Sequence, residues 1–198
     1  GDGFFYYVME LADDSNAECG TRSAESNLSA PSSIPHSALR TPNSYAPLTL
    51  KRLLNDRGAL PVQECLTIAL SLTHALANLH GHGLVHRDVK PSNVIFVNGQ
   101  AKLADIGLVT SVDATRSFVG TEGYLPPEGA GTPQADLYSL GKLLYEMSTG
   151  CDRKEFPALP PDIATRPDRD ALAELNAIIV RACQLDPQQR YASADETL

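Results

Sequence analysis

Residues 86–93 read His-Arg-Asp-Val-Lys-Pro-Ser-Asn, a polar and charged stretch on which the interpretation of the whole sequence depends. The stretch follows a segment from about Pro61 to His80 in which leucines recur at helical spacing. It precedes a β-branched run at 94–97 and the short segment 101–104, which flank Asn98-Gly99, a strong signal for a hairpin turn. Chemically active side chains are commonly placed on loops that rigid elements hold, so the stretch predicts a functional loop.

The rest of the sequence predicts a mainly helical chain with small β elements. Apolar residues recur at helical spacing in three more segments, which are about 50–54, 133–148 and 169–184. The aromatic and β-branched run at 4–9 is typical of the second strand of a hairpin. Residues 13–46 contain eight serines and three prolines, which favours a loop or a partly disordered insertion because few large apolar side chains are present to bury. These patterns predict the fold class α+β.

The 86–93 stretch resembles the catalytic loop of protein kinases, whose pattern is H-R-D-L-x-x-x-N. The Lys-Pro-x-Asn spacing is that of the serine/threonine form. The resemblance implies that Asp88 orients the attacking hydroxyl group and accepts its proton, that Lys90 places a cation near the transferred phosphoryl group, and that Asn93 supplies an oxygen ligand to Mg²⁺. It also gives His86 a structural role. The alternative is a polar loop with a chance triad, which an eight-residue match in this context disfavours.

A second motif, Asp105-Ile106-Gly107, begins 17 residues after Asp88. It resembles the D-F-G motif of kinases, which implies that Asp105 binds the Mg²⁺ that bridges the nucleotide phosphates. Ile106 replaces the phenylalanine and is expected to pack under the helix that the smaller kinase lobe supplies. Asp-Ile-Gly is also a common turn tripeptide, so the motif has weight only because of its distance from Asp88.

Residues 120–128 read Gly-Thr-Glu-Gly-Tyr-Leu-Pro-Pro-Glu and resemble the G-T-x-x-Y-x-x-P-E segment of serine/threonine kinases. The resemblance implies that Glu128 is buried and pairs with Arg190, and that Thr121 helps to shape the substrate site. It also implies that Asp136 braces the backbone of the catalytic loop. A first-turn Asp that is favoured by the helix dipole is an equally good local interpretation of Asp136.

The resemblance further predicts regulation by phosphorylation. Arg87 precedes the catalytic Asp, as it does in kinases that are activated by phosphorylation of a loop. Thr115 and Ser117 are the candidate acceptors, and a phosphate on either one would pair with Arg87. Loop hydroxyl groups are more often simply solvated, so that alternative stays open.

The nucleotide site is predicted at the N-terminal edge of the chain. Met9-Glu10-Leu11-Ala12 resembles the hinge that joins the two kinase lobes, which implies that the backbones of Glu10 and Ala12 hydrogen-bond the adenine of ATP. Ile95 would lie under the adenine ring, although it also fits as an ordinary core residue of a strand. The residues implied at the phosphates and Mg²⁺ are Lys90, Asn93 and Asp105.

The sequence lacks the earlier half of the kinase pattern. The 198 residues contain no G-x-G-x-x-G-x-V loop and no V-A-I-K lysine before the hinge. We therefore expect a partial kinase domain with a hinge strand and hinge at 1–12, a Ser/Pro-rich insertion at 13–46, and the large C-terminal lobe at 47–198, cut within its last helix. We expect the chain alone to be weakly active or inactive, and to self-associate through apolar surface that would face the smaller lobe.

Composition limits the remaining function classes. The chain has 16 Lys and Arg against 24 Asp and Glu, a formal net charge of −8, which excludes a nucleic-acid binder that works through a general basic surface. No apolar run approaches the roughly 18 residues of a membrane span. We expect a cytoplasmic protein, because the kinase resemblance implies ATP as substrate and the four scattered cysteines are typical of reduced thiols. The predicted function is that of a bacterial eukaryotic-like kinase, which transfers the γ-phosphoryl group of Mg-ATP to Ser/Thr hydroxyls of a protein substrate. The alternatives are a non-catalytic pseudokinase scaffold and a small-molecule phosphotransferase, and the 120–128 segment disfavours the second of these.

Overall fold

The computed structural model describes residues 12–14, 46–105, 110–111 and 120–197, with the backbone alone for 110–111. In these ranges the α-helices are α1 (Leu50–Arg57), α2 (Val62–Gly81), α3 (Pro133–Thr149), α4 (Arg169–Ala182) and α5 (Ala194–Thr197). The strands are β1 (Leu84–Val85), β2 (Val94–Val97), β3 (Gln100–Leu103) and β4 (Thr110–Ser111). Two antiparallel pairs form, β1 with β4 and β2 with β3. A mainly helical chain with small antiparallel sheets confirms the predicted α+β class.

Several predicted features lie outside the described residues. They are the strand at 4–9, Glu10, insertion residues 15–45, Ile106-Gly107, Thr115 and Ser117. The roles assigned to them therefore stay predictions. Ala12 and Asp105 border these ranges and are described.

The three long helices begin and end within two residues of the predicted bounds. Helix α3 illustrates why, because the Oγ1 atom of Thr132 accepts a hydrogen bond from Ala135 N at 3.1 Å and Pro133 occupies the first turn. Its other end is closed by Gly150, which has a φ of 73° and donates its N–H to Glu146 O. Both ends of the helix are thus encoded locally. Within the described ranges, no helix combines the length and apolar character that crossing a membrane requires.

Helix α3 forms the centre of the core. From Ala135 to Thr149 every residue except Glu146 is buried. The helix packs against both α2 and α4, and the buried side chains that face this core from those two helices include Leu72, Leu76, Leu175 and Ile179. Since α2 ends shortly before residue 86, its packing on α3 fixes where the functional loop begins.

Gly141 allows α3 to approach the end of α4 closely. A Cβ atom at this position would lie 2.6 Å from Cys183 Sγ and 3.0 Å from Ala182 Cβ. The Cys183 thiol is buried and lies 3.7 Å from Tyr138 O. Burial raises the pKa of this thiol to about 12, so it packs as a neutral group. No larger side chain fits at residue 141 without a shift of these neighbours.

The β2–β3 hairpin directly follows the functional loop, and Asp13 fastens it to the N-terminal part of the chain. The turn residues Asn98 and Gly99 have φ angles of 52° and 75°, as the Asn-Gly signal predicts. The Asp13 carboxylate accepts hydrogen bonds from both of their N–H groups at 2.9 Å. Asp13 N in turn donates to Phe96 O at 2.7 Å. The hairpin is therefore held at its turn and along β2.

We expect Gly141→Ala to lower the free energy of unfolding by about 1–3 kcal/mol, because the added methyl group overpacks the contact with Cys183. Gly81→Ala is the matched control, since a Cβ at the last residue of α2 meets no atom within 4 Å. The control is expected to leave stability unchanged or to raise it by less than about 1 kcal/mol. Urea unfolding of both variants, followed by circular dichroism, measures the difference. Equal effects would contradict the close approach of α3 and α4.

Candidate active site

Asp88 lies at the centre of a polar cluster. Its carboxylate accepts hydrogen bonds from Lys90 Nζ at 2.6 Å and from Thr121 Oγ1 at 2.8 Å. A third hydrogen bond comes from Asn93 Nδ2 at 3.0 Å. Lys90 Nζ also donates to Thr121 Oγ1 at 2.8 Å, so three side chains close a ring. The cluster thus joins the 86–93 loop to the 120–128 segment.

The surroundings of Asp88 keep its carboxyl group ionised. Burial alone raises the pKa of this group, but the hydrogen bonds from its three neighbours and the charge of Lys90 together outweigh burial, and the pKa lies below its ordinary value. An ionised carboxylate accepts a hydrogen bond from a hydroxyl group and can take up its proton. The cluster can therefore orient and deprotonate a substrate hydroxyl.

Asn93 and Asp105 place two further oxygen groups beside this cluster. The Nδ2 atom of Asn93 also donates to Asp88 O at 2.9 Å, which leaves its Oδ1 atom as the acceptor of the amide. Asp105 directly follows Ala104, whose N–H donates to Asn93 O at 2.8 Å, and its side chain is exposed. Amide and carboxylate oxygens are the ligands that Mg²⁺ prefers. The donor set therefore fits a magnesium ion.

Asp136, in the first turn of α3, holds the start of the functional loop. Its side chain is 1% exposed, and its carboxylate accepts hydrogen bonds from His86 N at 2.7 Å and Arg87 N at 2.8 Å. A buried carboxylate is costly unless it is hydrogen-bonded. Of the two interpretations of Asp136 in the sequence, this geometry favours bracing of the loop over a purely local effect of the helix dipole.

His80 also contacts Asp136. Its side chain is 9% exposed, and Nε2 lies 2.9 Å from Asp136 Oδ2. The neighbouring His86 is buried and its Nε2 lies 3.1 Å from Ala104 O. Burial lowers the pKa of His86, so it is a neutral packing group under the loop. The helical spacing places His80 on α2, but its partner, Asp136, lies 56 residues further along the chain. No local sequence signal therefore indicates this contact.

Glu128 and Arg190 form a pair that ties the 120–128 segment to the C-terminal part of the chain. The Arg190 side chain is fully buried, and its Nη1 and Nη2 atoms donate to the two carboxylate oxygens of Glu128. The remaining donors of the guanidinium group contact the backbone oxygens of Gln184, Gln134 and Leu185. The geometry is bidentate, which is the strongest form of such a pair.

A cavity of about 540 Å³ opens beside the cluster. Lys90 and Thr121 form part of its wall, and Glu146 and Arg153 form another part. The Glu146 carboxylate accepts a hydrogen bond from the hydroxyl group of Tyr124. No motif in the sequence indicates Glu146 or Arg153, because they come from the end of α3 and the turn after it. The cavity is large enough for side chains of a bound peptide.

The predicted adenine-binding residues are described only in part. Ala12 is buried beside Asp13, which bonds to β2 through Phe96 O. Ile95 is half-buried in β2, next to Thr49 of the segment that leads into α1. Both residues therefore lie near the same edge of the β2–β3 hairpin. Their contact with adenine stays a prediction.

Comparison with known protein families gives one match that covers most of the chain. The sequence model described as "Protein kinase domain" matches residues 42–197. This chain belongs to the protein kinase domain family. The matched range contains the Asp88 cluster, the Asp136 brace and the Glu128–Arg190 pair.

Relatives of this kinase-domain chain carry serine/threonine-protein kinase names. It is 34% identical to a probable serine/threonine-protein kinase of Clostridium perfringens, over 76% of this chain and 25% of that protein. It is 42% identical to the serine/threonine-protein kinase PknL of Mycobacterium tuberculosis, over 52% of this chain and 28% of that protein. Identity to PknB of Mycobacterium leprae is 32%, over 75% of this chain and 27% of that protein. The chain thus spans about a quarter of the length of these relatives.

We expect Glu128→Ala to lower the free energy of unfolding by about 3–5 kcal/mol, because it leaves the fully buried Arg190 guanidinium without its anion. The matched control is Glu64→Ala, which removes another bidentate arginine pair, with Arg57, on the surface. Its cost is expected to stay below about 1 kcal/mol. Urea unfolding curves at low salt measure both. A similar loss for the two variants would contradict the structural role of the Glu128–Arg190 pair.

Proposed function

We propose that this chain supplies the catalytic loop, the magnesium ligands and the protein-substrate surface of a serine/threonine protein kinase, which transfers the γ-phosphoryl group of ATP to Ser or Thr hydroxyls of a protein. The observation that carries the proposal is the ionised Asp88 carboxylate, held by Lys90, Asn93 and Thr121 beside the cavity. The kinase names of the relatives support the same reaction.

Each member of the cluster has a task that follows from its chemistry. Asp88 orients the substrate hydroxyl and accepts its proton as the oxygen attacks. Lys90 keeps a positive charge beside the point of attack, where the transferred group carries negative charge. Thr121 bonds to both side chains and so fixes their spacing.

Asn93 and Asp105 would hold Mg²⁺, which when bound neutralises charge on the nucleotide phosphates. The two hydrogen bonds from Asn93 Nδ2 to Asp88 hold the Asn93 side chain in one rotamer. The direction of the Asn93 amide oxygen is therefore fixed. Asp105 directly follows Ala104, whose N–H bonds to Asn93 O, so the backbone brings the two residues near each other. The base is therefore bonded directly to Asn93, and Asp105 is linked to Asn93 through the backbone of Ala104.

This combination favours an enzyme over a non-catalytic scaffold. A binding scaffold requires neither an ionised carboxylate in this setting nor oxygen ligands for a metal ion beside it. Asp88, Lys90, Asn93 and Asp105 are all present, and both Lys90 and Asn93 bond to the Asp88 carboxylate. An enzyme uses each of these groups.

We expect Asp88→Asn to reduce phosphoryl transfer about 10²–10⁴-fold, because the amide orients a hydroxyl group but accepts no proton. The assay follows transfer of the γ-phosphoryl group of ATP to a protein acceptor by the protein encoded in the full reading frame. Asp170→Asn is the matched control, since that carboxylate is 93% exposed and lies at the start of α4. Retained transfer in the Asp88→Asn protein would refute the catalytic assignment, and binding of partner proteins without transfer in the wild type would favour the scaffold.

We expect the purified 198-residue chain alone to transfer little or no phosphate. These residues contain neither the glycine-rich loop nor the V-A-I-K lysine of the kinase pattern, and positioning of the phosphates supplies much of the acceleration in this reaction. The measurement compares the chain alone with the product of the full reading frame at equal concentration. Robust transfer by the 198 residues would contradict this expectation.

A further inference from the structure

Arg153 lies outside the motifs, but its side chain contacts both the 120–124 segment and α3. It lies in the 3₁₀ turn Arg153–Glu155 that follows α3, and its side chain is 23% exposed. Its Nε atom donates to Glu122 O at 3.1 Å, and its guanidinium carbon lies 4.6 Å from the centre of the Tyr124 ring. Its Nη1 atom lies 3.4 Å from Glu146 Oε1. One guanidinium group thus contacts the backbone and a ring of the 120–124 segment and an acid of α3.

The 120–124 segment is fitted closely around this side chain. A Cβ atom at Gly123, whose φ is 88°, would lie 2.7 Å from Arg153 Nε, so a larger residue would displace the guanidinium group. Tyr124, which stacks on Arg153, also bonds through its hydroxyl group to Glu146. The segment and the arginine therefore share the same acidic partner.

Arg153 is itself held from the core. The backbone N–H of Arg153 donates to Glu146 Oε1 at 3.3 Å. Lys142, which is 7% exposed, donates from Nζ to Arg153 O at 3.0 Å. Both contacts come from α3, the central helix. The position of Arg153 is thus set by the most deeply packed element of the structure.

Thr121 links this arrangement to the reacting groups. It stands one residue before Glu122, whose carbonyl group accepts from Arg153, and its own hydroxyl group bonds to Asp88 and Lys90. Thr121 and Arg153 both line the 540 Å³ cavity. The cavity therefore lies beside the two side chains, Lys90 and Thr121, that bond to Asp88.

We propose that Arg153 is a positioning residue for the protein substrate, which holds the 120–124 segment so that Thr121 meets Asp88 and the cavity keeps its shape. The proposal rests on the proposed kinase function. Lysine is a poor replacement for Arg153. The planar guanidinium group of arginine can bond a carbonyl oxygen and a carboxylate and stack on an aromatic ring at the same time, whereas the ammonium group of lysine cannot.

The kinetic test uses the protein of the full reading frame with Arg153→Met, Arg153→Lys and the control Arg169→Met, whose arginine pairs with an exposed neighbour. Loss of charged hydrogen bonds predicts a rise of about 10–100-fold in the KM for the protein substrate, with the KM for ATP unchanged. Arg153→Lys should recover part of the loss and Arg169→Met should show none. If Arg153→Met lowers kcat and leaves both KM values unchanged, the role of Arg153 is merely structural and the proposal is overturned.

Hydrogen exchange of the same proteins gives a readout that does not depend on activity. Arg153→Met should speed exchange of the amides at 120–125 and leave those in the centre of α2 unchanged. Faster exchange throughout the chain, or no change at 120–125, would overturn the proposal. If the wild-type protein transfers no phosphate, the proposed kinase function fails, and the exchange measurement alone decides whether Arg153 positions the segment.

Discussion

The buried carboxylate of Asp136 is the constraint on which the site depends. Charge in the interior is tolerated only where donors surround it, and here two of the donors are the backbone N–H groups of His86 and Arg87. Satisfying Asp136 therefore fixes the direction in which the loop leaves β1. Asp88 follows two residues after His86, so its location is set from the core through Asp136. The brace in turn depends on α3, whose burial places Asp136 under the loop.

The same helix serves the second half of the site. Two residues of α3 hold Tyr124. Glu146 accepts a hydrogen bond from the Tyr124 hydroxyl group, and Ser139 Oγ donates a hydrogen bond to Tyr124 O at 2.9 Å. At the far end of the 120–128 segment, Glu128 is anchored by the buried Arg190. The segment is therefore fixed to the core at its middle and at its far end, and Thr121, which precedes both anchors, bonds to Asp88. The catalytic cluster is the point at which two separately anchored segments meet.

The sequence predicts the parts of this arrangement that have a local signal. Leucine spacing and the caps of α3 define the helices, and Asn98-Gly99 defines the hairpin, because these depend on neighbours in the chain. The catalytic motif indicates Asp88 and its companions through spacing alone. His80, Glu146 and Arg153 could not be predicted, since each takes its role from a partner that only the packing of α2, α3 and the 120–124 segment brings near. Asp136 was ambiguous for the same reason, because a first-turn acid is locally favourable whether or not it braces a loop.

The backbone has unusual conformations at two positions that flank the catalytic cluster. Among the described residues, those other than glycine with positive φ are Arg87, Asn98 and Asp105, at 74°, 52° and 61°. Asn98 belongs to the hairpin turn, but Arg87 and Asp105 flank the catalytic cluster, where such a conformation costs about 1–3 kcal/mol each. Hydrogen bonds to a charged group contribute about 1.5–3 kcal/mol each, so the bond from Arg87 N to Asp136 is of the size needed to hold Arg87 in place. The strained backbone next to Asp88 is therefore a consequence of the buried acid beneath it.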